Sequence, residues 1–395
     1  MKKDFLKYQA QTSPHPLALE ISKAKGSYIY DTNNKAYLDF IAGVSANTLG
    51  HNHPKISKSI KNQVNKFTHV MVYGEFVQKP QVNLCKLLVE NLPKNLNSVY
   101  ITNSGTEATE GALKLSKRVT ERSEIIAAKQ GYHGNTQGAM SVCGVEEQNA
   151  AFRPLIPGTK FIEFNCIEDL SKITKKTAAV ILETIQGGAG FIEPKNDYLK
   201  KVKNKCEEVG ALLILDEIQT GIGRTGKLFG FQNYNVIPDI IITGKGLGGG
   251  MPIGAFISSF ENMSTLKKNP KLGHITTFGG HPVIAAAANA TLKTLLKSNL
   301  IKESLRKEEL IRSLLIHPLI TEIRGKGLML AVITKSEEIT NKVILKSLKN
   351  GLILFWLLFE GKAIRITPPL TISDDEIKKG CAIILSILDE IQPKI

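Results

Sequence analysis

The sequence predicts an α/β fold in which a sheet is covered on both faces. The main observation is a set of three short runs rich in aliphatic and β-branched residues: Ala178–Glu183, Ala211–Leu215 and Asp239–Ile242. Continuous apolar runs of roughly four to eight residues are typical of strands that are buried on both faces. The segment Ser98–Leu115 combines a strand, a turn of small residues and the start of a helix, as expected where strands and helices alternate.

Length and composition indicate one large domain with a smaller one beside it. The chain has 395 residues, of which 42% are hydrophobic, and this is sufficient for a large core. The N-terminal sequence MKKDFLKYQAQTSPH has no apolar stretch, so it does not resemble a secretory signal. The longest apolar run, Leu352–Phe359, is too short to span a bilayer. We therefore expect a cytoplasmic protein with no membrane partner.

The formal net charge of +15 does not by itself indicate a nucleic-acid partner. The lysines are spread over segments such as Lys200–Lys205 and Lys342–Lys349, and they form no basic tract with interleaved aromatic residues. A surface of this kind favours small anionic ligands. The five cysteines are scattered without a CxxC pair, and His51 and His53 have no cluster of carboxylates or cysteines beside them. We therefore expect neither a metal site nor a nucleic-acid partner.

Two charged residues stand where buried strands are expected to end. Asp216 directly follows the run Ala211–Leu215, and Lys245 follows the next run and opens a glycine-rich loop. Ligands of α/β sheets bind at strand ends, where a desolvated lysine has a lowered pKa and attacks aldehydes as a free amine. A nearby carboxylate can keep a heteroaromatic nitrogen protonated. Taken alone, the two residues are more often a solvated loop lysine and a helix cap.

A resemblance decides between these interpretations. The stretch LILDEIQTGIGRTG, followed by IITGKGLGGGMPIGA, resembles the core signature of the class III aminotransferases, which use pyridoxal 5′-phosphate and include acetylornithine, ornithine and 4-aminobutyrate aminotransferases. The resemblance implies that Lys245 joins the cofactor as a Schiff base, that Asp216 pairs with the pyridine nitrogen and that Gln219 lies near the phenolic oxygen. It also implies fold-type-I architecture, with a mixed, mostly parallel sheet, helices on both faces and a small α/β domain.

Further motifs follow in the order of the family. The turn Ser104-Gly105-Thr106 precedes a predicted helix, and the backbone N–H groups of a helix N-terminus favour a phosphate. Alone, such a turn is most often a plain helix cap. In register with the other motifs, it resembles the phosphate site of the family.

Two more segments resemble cofactor-binding segments of the family. KQGYHGNTQGAMS contains Tyr132, which the resemblance places on the cofactor ring, and His133 beside it; a core tyrosine is the alternative for Tyr132. The strand that ends at Glu183 leads into TIQGGAG, where family members usually show EPIQGEGG. The resemblance of this segment implies that Glu183 is a cofactor-binding residue. Thr184 replaces the proline of this motif, and Gly188 replaces the glutamate.

The C-terminal part carries two segments with implied roles. HITTFGGHP resembles the segment that crosses to the other subunit, so the resemblance implies a homodimer in which Thr277 donates to the partner's cofactor phosphate. Arg365 in IRITPPL matches the carboxylate-binding arginine of the family, and its planar fork suits two parallel hydrogen bonds to a carboxylate. Ile364–Leu370 and Arg324–Met329 are predicted strands of the small domain.

These segments predict a division into three ranges. Residues 1–55 contribute to the small domain, residues 56–290 form the large cofactor-binding domain, and residues 291–395 form the C-terminal small domain. The implied reaction moves the amino group of an ω-amino acid or amine to a 2-oxo acid in two half-reactions. A 2,1-aminomutase of the same fold and a non-catalytic pyridoxal-phosphate-binding protein are the alternatives.

Three positions that resemble substrate-contacting sites depart from the ornithine type. Val44 stands where that type has a tyrosine, Asn135 where most relatives have an arginine, and Gly188 where they have a glutamate. Val44 alone fits the acetylornithine type. The other two departures favour a different ω-amino acid or a simple amine as the donor.

Overall fold

The computed structural model describes residues 1–392. Its strands are β1 (Ile21–Lys25), β2 (Tyr28–Asp31), β3 (Ala36–Asp39), β4 (Ser98–Thr102), β5 (Glu124–Ala128), β6 (Thr159–Ile162), β7 (Thr177–Glu183), β8 (Leu212–Asp216), β9 (Ile240–Gly244), β10 (Gly254–Ser258), β11 (Ile320–Lys326), β12 (Met329–Thr334), β13 (Leu352–Ile353), β14 (Phe355–Trp356) and β15 (Ala363–Ile366). Its helices and single turns are α1 (Lys2–Tyr8), α2 (Ala42–Ser45), α3 (Pro54–Val64), α4 (Lys79–Val89), α5 (Gly105–Thr120), α6 (Gln137–Ser141), α7 (Glu146–Asn149), α8 (Tyr198–Val209), α9 (Phe260–Ser264), α10 (Pro282–Leu296), α11 (Leu300–Leu314), α12 (Glu337–Lys349) and α13 (Asp374–Ile391). Within residues 1–392, no helix has both the length and the apolar character needed to cross a bilayer.

The largest sheet is mixed and mostly parallel. Its seven strands lie in the order β4-β10-β9-β8-β7-β5-β6, and β10 alone runs antiparallel to its neighbours, β4 and β9. The pairs from β9 to β6 are all parallel. The three strands predicted from apolar runs are β7, β8 and β9, each shifted by one or two residues at its ends. The predicted fold class is therefore confirmed.

Alternate residues of the central strands pack into two separate cores. On β5, Ile125 belongs to a cluster that includes Ala112 of α5, whereas the next residue, Ile126, belongs to a cluster that includes Val202 of α8. Successive side chains of a strand point to opposite faces of the sheet. Helices therefore cover both faces, which is why these strands are apolar along their whole length.

Two smaller sheets, each of four strands, complete the fold, in the orders β1-β2-β3-β13 and β11-β12-β15-β14. In the first, β13 pairs in parallel with β3, with Leu352 opposite Leu38. This sheet joins strands from the first and last of the three predicted ranges, although the boundaries of those ranges stay a prediction.

Two predicted strands of the C-terminal part were wrong in their limits. The strand expected over Ile364–Leu370 ends at Ile366, because Pro368 and Pro369 have no backbone N–H with which to continue the ladder. The strand expected over Arg324–Met329 is a tight hairpin between β11 and β12, in which Gly327 has a φ of 61°. A left-handed conformation of this kind favours glycine.

Candidate active site

A cavity of about 430 Å³ lies at the carboxyl ends of β7, β8 and β9. Glu183 and Asp216 are the last residues of β7 and β8 and are paired in register, while Lys245 directly follows β9. Most of the residues that the sequence singled out line this cavity: Val44, Gly105, Thr106, Tyr132, His133, Asn135, Glu183, Gly188, Asp216, Gln219, Lys245 and Arg365. Ser104 and Thr277 do not line it.

Lys245 begins a glycine-rich turn that is tightly packed at Gly246. A Cβ on Gly246 would lie 2.2 Å from Thr48 Oγ1, so only glycine fits beside the lysine. Burial lowers the pKa of Lys245, and the charge of Arg365 acts in the same direction, whereas Asp216 and Glu183 oppose the shift. A lowered pKa increases the fraction of neutral amine at physiological pH. The chemistry that the sequence assigned to Lys245 requires this form.

Asp216 is held in place from two sides. Its Oδ2 lies 2.8 Å from Nδ1 of His133, and its Oδ1 accepts a hydrogen bond from the backbone N–H of Ile218 at 2.9 Å. Asp216 and His133 are 5% and 2% exposed, so the pair is shielded from bulk water. The sequence had placed His133 among the cofactor-binding residues but did not indicate this pairing, because the two positions lie in different motifs. His133 therefore orients the carboxylate as well as lining the cavity.

Glu183 accepts two backbone hydrogen bonds. Oε1 accepts from the N–H of Tyr132 at 3.1 Å, and Oε2 accepts from the N–H of Gly187 at 2.9 Å. Burial raises the pKa of Glu183 to about 7, and the charge of Asp216 adds to the increase. Glu183 thus fixes the turn that carries Tyr132, and Tyr132 lines the cavity. Its stacking on the cofactor ring stays a prediction.

The raised pKa of Glu183 predicts a pH-dependent stability. The pKa is about 7 in the folded protein and 4.5 for an ordinary glutamate, so the folded state binds more protons between these values. This contribution to stability is complete below pH 4.5 and is lost as the pH rises to about 7, by on the order of 3 kcal/mol. The free energy of unfolding would be measured with urea for the cofactor-free protein at about pH 4 and pH 8. In Glu183→Gln, we expect the decrease in this free energy between the two pH values to be smaller by that amount. The same substitution at the exposed Glu309 is the control, and equal pH slopes for wild type and Glu183→Gln would contradict the assignment.

The N-terminus of α5 opens on the cavity at Gly105. A Cβ there would lie 2.6 Å from Cδ1 of Ile218, so a side chain at this position would displace Ile218. Thr106 Oγ1 accepts hydrogen bonds from the backbone N–H groups of Asn135 and Thr136, both at 3.2 Å. Ser104 accepts from the N–H of Glu107 at 3.3 Å and so caps the helix. The geometry supports a phosphate site at Gly105 and Thr106, with Ser104 in the capping role that was the plainer alternative.

Val44 reaches the cavity from a strained turn. The four residues of α2 all have positive φ, with values of 49°, 59°, 59° and 67° from Ala42 to Ser45. Left-handed backbone is unfavourable for any residue with a side chain and most of all for a β-branched one such as Val44. Such strain is concentrated at functional sites. The same turn places the Ser45 hydroxyl within 3.4 Å of Nε2 of Gln219, the residue expected near the cofactor's phenolic oxygen.

Sequence reasoning missed one side of the cavity. Phe355, Trp356 and Leu358 line this side. They belong to the apolar run Leu352–Phe359, whose sequence indicates only that it is too short to span a bilayer. Their neighbour Phe359 donates its backbone N–H to the carbonyl oxygen of Gly188 at 2.9 Å. A Cβ on Gly188 would lie 2.7 Å from the Phe359 ring. The ring thus occupies the space that a side chain at position 188 would need.

Arg365 is a buried cation without a protein partner. It is 5% exposed, and among residues 1–392 its buried Nε and Nη1 atoms have no hydrogen-bond acceptor. Burial lowers its pKa to about 10, so it stays charged at neutral pH. The ring of Phe191 lies 6.0 Å from its guanidinium carbon. Since a buried unpaired charge is costly, this arrangement indicates an anionic ligand.

The residues present fit pyridoxal 5′-phosphate. An aldehyde would meet the amine of Lys245, whose pKa is lowered. A pyridine nitrogen would meet the carboxylate of Asp216, which His133 and a backbone N–H hold in place. A phosphate would meet the N-terminus of α5 at Gly105 and Thr106, which both line the cavity. Within residues 1–392, no group of three or more His, Cys, Asp or Glu side chains is placed to hold a metal ion.

Comparisons with known proteins agree with this geometry. A family model described as Aminotransferase class-III matches residues 8–388. The chain is 37% identical over 382 residues to the acetylornithine aminotransferase of Caldanaerobacter subterraneus, with 94% of each chain covered. It is also 37% identical over 319 residues to the LysW-aminoadipate semialdehyde/glutamate semialdehyde transaminase of Sulfolobus acidocaldarius, covering 80% of this chain and 81% of that protein.

Solved structures show the same fold over the whole chain. The ornithine aminotransferase of Toxoplasma gondii superposes with a TM-score of 0.91 at 31% identity, covering 99% of this chain and 96% of that one. An (S)-enantioselective omega-transaminase from Thermomicrobium roseum gives a TM-score of 0.90 at 28% identity, with 99% and 98% covered. The resemblance found in the motifs is thereby confirmed, and the chain belongs to the class-III aminotransferase family.

Proposed function

We propose that this pyridoxal-phosphate-dependent aminotransferase moves the terminal amino group of an ω-amino acid or amine to a 2-oxo acid. The observation that carries the proposal is a single cavity that contains Lys245 with a lowered pKa, the buried carboxylate of Asp216 and the unpaired cation of Arg365. These are the three groups that a transamination needs: an amine base, a partner for the cofactor's ring nitrogen and an anchor for a substrate carboxylate.

The residues of the site would share the tasks of holding the cofactor. Lys245 would hold it covalently, Asp216 would keep its ring nitrogen protonated, and the N-terminus of α5 at Gly105 would bind its phosphate. Tyr132 would pack on its ring. When bound, the cofactor supplies an electron sink that stabilises negative charge on the substrate's reacting carbon.

Lys245 then acts as the base of the reaction. In its free and neutral form, its amine would take the proton from the substrate carbon that bears the nitrogen. Burial, which lowers the pKa of Lys245, makes this neutral form available. Glu183 and Asp216 limit the decrease in pKa, so the amine remains basic enough to accept the proton.

The residues at the mouth of the cavity support a donor other than ornithine or N-acetylornithine. Asn135 is exposed and carries no charge that could hold a donor carboxylate. Arg153 supplies no such charge either, because it is exposed, does not line the cavity, and forms an ion pair with Glu146. Losing a charge-assisted contact of this kind costs on the order of 2–4 kcal/mol, or roughly a hundredfold in specificity constant.

The expected result is therefore a low rank for ornithine and N-acetylornithine as donors. Specificity constants would be measured for these two, 4-aminobutyrate, β-alanine and simple amines, with pyruvate or 2-oxoglutarate as acceptor. A first place for ornithine or N-acetylornithine by a wide margin would contradict the proposed donor class. Turnover without any 2-oxo acid would instead favour the 2,1-aminomutase alternative.

The proposed assembly is a homodimer with shared active sites. Thr277 is exposed and does not line the cavity of its own chain, so its implied contact with a phosphate requires a second copy. Exposed apolar side chains lie in the same part of the chain as Thr277, among them Leu272, Ile275 and Phe278. A partner surface is the usual cover for such side chains.

Thr277→Ala is expected to weaken cofactor binding. Loss of one hydrogen bond to a charged phosphate costs about 1–3 kcal/mol, which titration of the cofactor-free protein with pyridoxal phosphate would measure. Sedimentation of the wild-type holoenzyme should show a dimer. A fully active monomer, or unchanged cofactor affinity in Thr277→Ala, would contradict the shared site.

A further inference from the structure

One side of the cavity consists of apolar side chains to which the proposed function assigns no role. It comprises Phe355, Trp356 and Leu358, and we refer to these three residues as the apolar wall. Phe355 and Trp356 form β14, the edge strand of the sheet β11-β12-β15-β14. The buried Leu357 lies between Trp356 and Leu358 and packs in a core cluster with Phe191. The segment is therefore anchored to the fold rather than being a free loop.

Arg365 is a direct neighbour of the apolar wall. In the antiparallel pair of β14 and β15, Phe355 lies opposite Arg365. Residues that lie directly opposite each other place their side chains on the same face of a sheet, a few ångströms apart. A carboxylate bound by the unpaired Nε and Nη1 atoms of Arg365 would thus have its own substituents close to the apolar wall.

No charged group of the chain stands within the apolar wall. The one polar atom of Trp356, Nε1, donates to Oδ1 of Asn341 at 2.6 Å, and Asn341 does not line the cavity. An acidic or basic side chain at position 188 has no space, because the Phe359 ring occupies it. Among the residues that line the cavity, Lys245 and Arg365 are the only lysine and arginine. Lys245 is needed for the amine chemistry, so one cation remains for a substrate carboxylate.

We infer that Arg365 and the apolar wall together select the amino acceptor: a 2-oxo acid with a single carboxylate and an apolar side chain, in preference to a 2-oxo dicarboxylate. The inference rests on the proposed transaminase function and adds the class of acceptor to it. A second carboxylate placed against the apolar wall would lose its hydration without gaining a cation. A methyl or methylene group in the same place gains free energy from leaving water.

The acceptor half-reaction tests this without any donor. The protein is loaded with pyridoxamine 5′-phosphate and mixed with 2-oxobutanoate, 2-oxopentanoate, 2-oxohexanoate or 2-oxoglutarate, and the rate of amino transfer is followed by absorbance. We expect the specificity constant to increase about fourfold with each methylene of the monoacids. The matched pair is 2-oxopentanoate and 2-oxoglutarate, equal in chain length, and we expect the monoacid to react at least about tenfold faster.

A binding measurement supplies a readout that does not depend on turnover. Calorimetry of the holoenzyme with pentanoate and glutarate, which cannot react, should show about tenfold tighter binding of pentanoate. If no 2-oxo acid reacts with the loaded protein, the transaminase function itself fails. The carboxylate binding experiment would still test the apolar wall by itself.

Substitutions then locate the preference. Trp356→Ala should reduce the ratio of 2-oxopentanoate to 2-oxoglutarate about tenfold, and Leu358→Ser about threefold. The matched control is Leu345→Ser, because Leu345 is 48% exposed against 51% for Leu358 and lies on α12 outside the cavity. A wild-type enzyme that prefers 2-oxoglutarate, or an unchanged ratio in both wall variants, would overturn the inference.

Discussion

Lys245→Ala is expected to lower kcat by roughly 10⁴-fold, the upper part of the range for a lost general base. Among residues 1–392, Lys245 is the only lysine that lines the cavity, and burial lowers its pKa, so no other lysine of this range is placed to take the proton. The substitution also removes the covalent attachment of the cofactor. We expect the variant to bind pyridoxal phosphate more weakly and to lose the absorbance of the attached form.

The covalent attachment has a separate chemical test. Borohydride reduction of the wild-type holoenzyme followed by peptide mapping should label Lys245. The matched control is Lys302→Ala, because Lys302 is an exposed lysine on α11 and should not affect turnover. A label on another lysine, or normal turnover by Lys245→Ala, would refute the assignment.

Asp216→Asn is expected to have the second-largest effect, a decrease in kcat of roughly 10²–10³-fold, typical of losing one preorganised charge from an active site. The amide keeps the shape of the carboxylate and its contact with the N–H of Ile218, but it has no negative charge with which to hold the ring nitrogen protonated. The hydrogen-bond partner of His133 also changes, from the anionic carboxylate of the wild type to a neutral amide. The folded structure should therefore survive while catalysis does not.

Asp239→Asn is the matched control for this prediction. Asp239 is a partly buried aspartate just before the neighbouring strand β9, where it accepts from Lys203 Nζ at 2.7 Å and from the N–H of Leu213 at 2.8 Å. It does not line the cavity, so its substitution should lower the melting temperature with little change in kcat. Similar losses of kcat in both variants would mean that Asp216 acts only through stability.

The sequence predicted the central sheet and most of the cavity because those features are local. Asp216 and Lys245 each stand beside a strand that its apolar composition already indicates, and parallel strands bring their carboxyl ends together. The helix N-terminus at Gly105 has a comparable local signal in its small residues. For these residues, position along the chain was sufficient to place the side chain.

Other features of the site depend on contacts between distant segments. The hydrogen bond between His133 and Asp216 joins positions 83 residues apart, and neither motif indicates the other. The strain at Val44 has no signal in its residue type, because valine rarely adopts left-handed backbone. Phe355, Trp356 and Leu358 belong to a continuous apolar run, and nothing in that run indicates that β14 pairs with β15, the strand that carries Arg365.

Segments from the N-terminal and C-terminal parts of the chain contact each other close to Val44 and Arg365 in sequence, and this affects the order in which the protein is completed during synthesis. Thr367 donates its hydroxyl to the carbonyl oxygen of Ile41 across 326 residues of sequence, and β13 adds to the sheet that β3 began. Contacts of such separation form late, since they must wait for the intervening chain. All the strands of the central sheet leave the ribosome before β11. We therefore expect a nascent chain to acquire its cofactor-binding elements first, and to acquire the means of selecting a substrate only when its last hundred residues have been added.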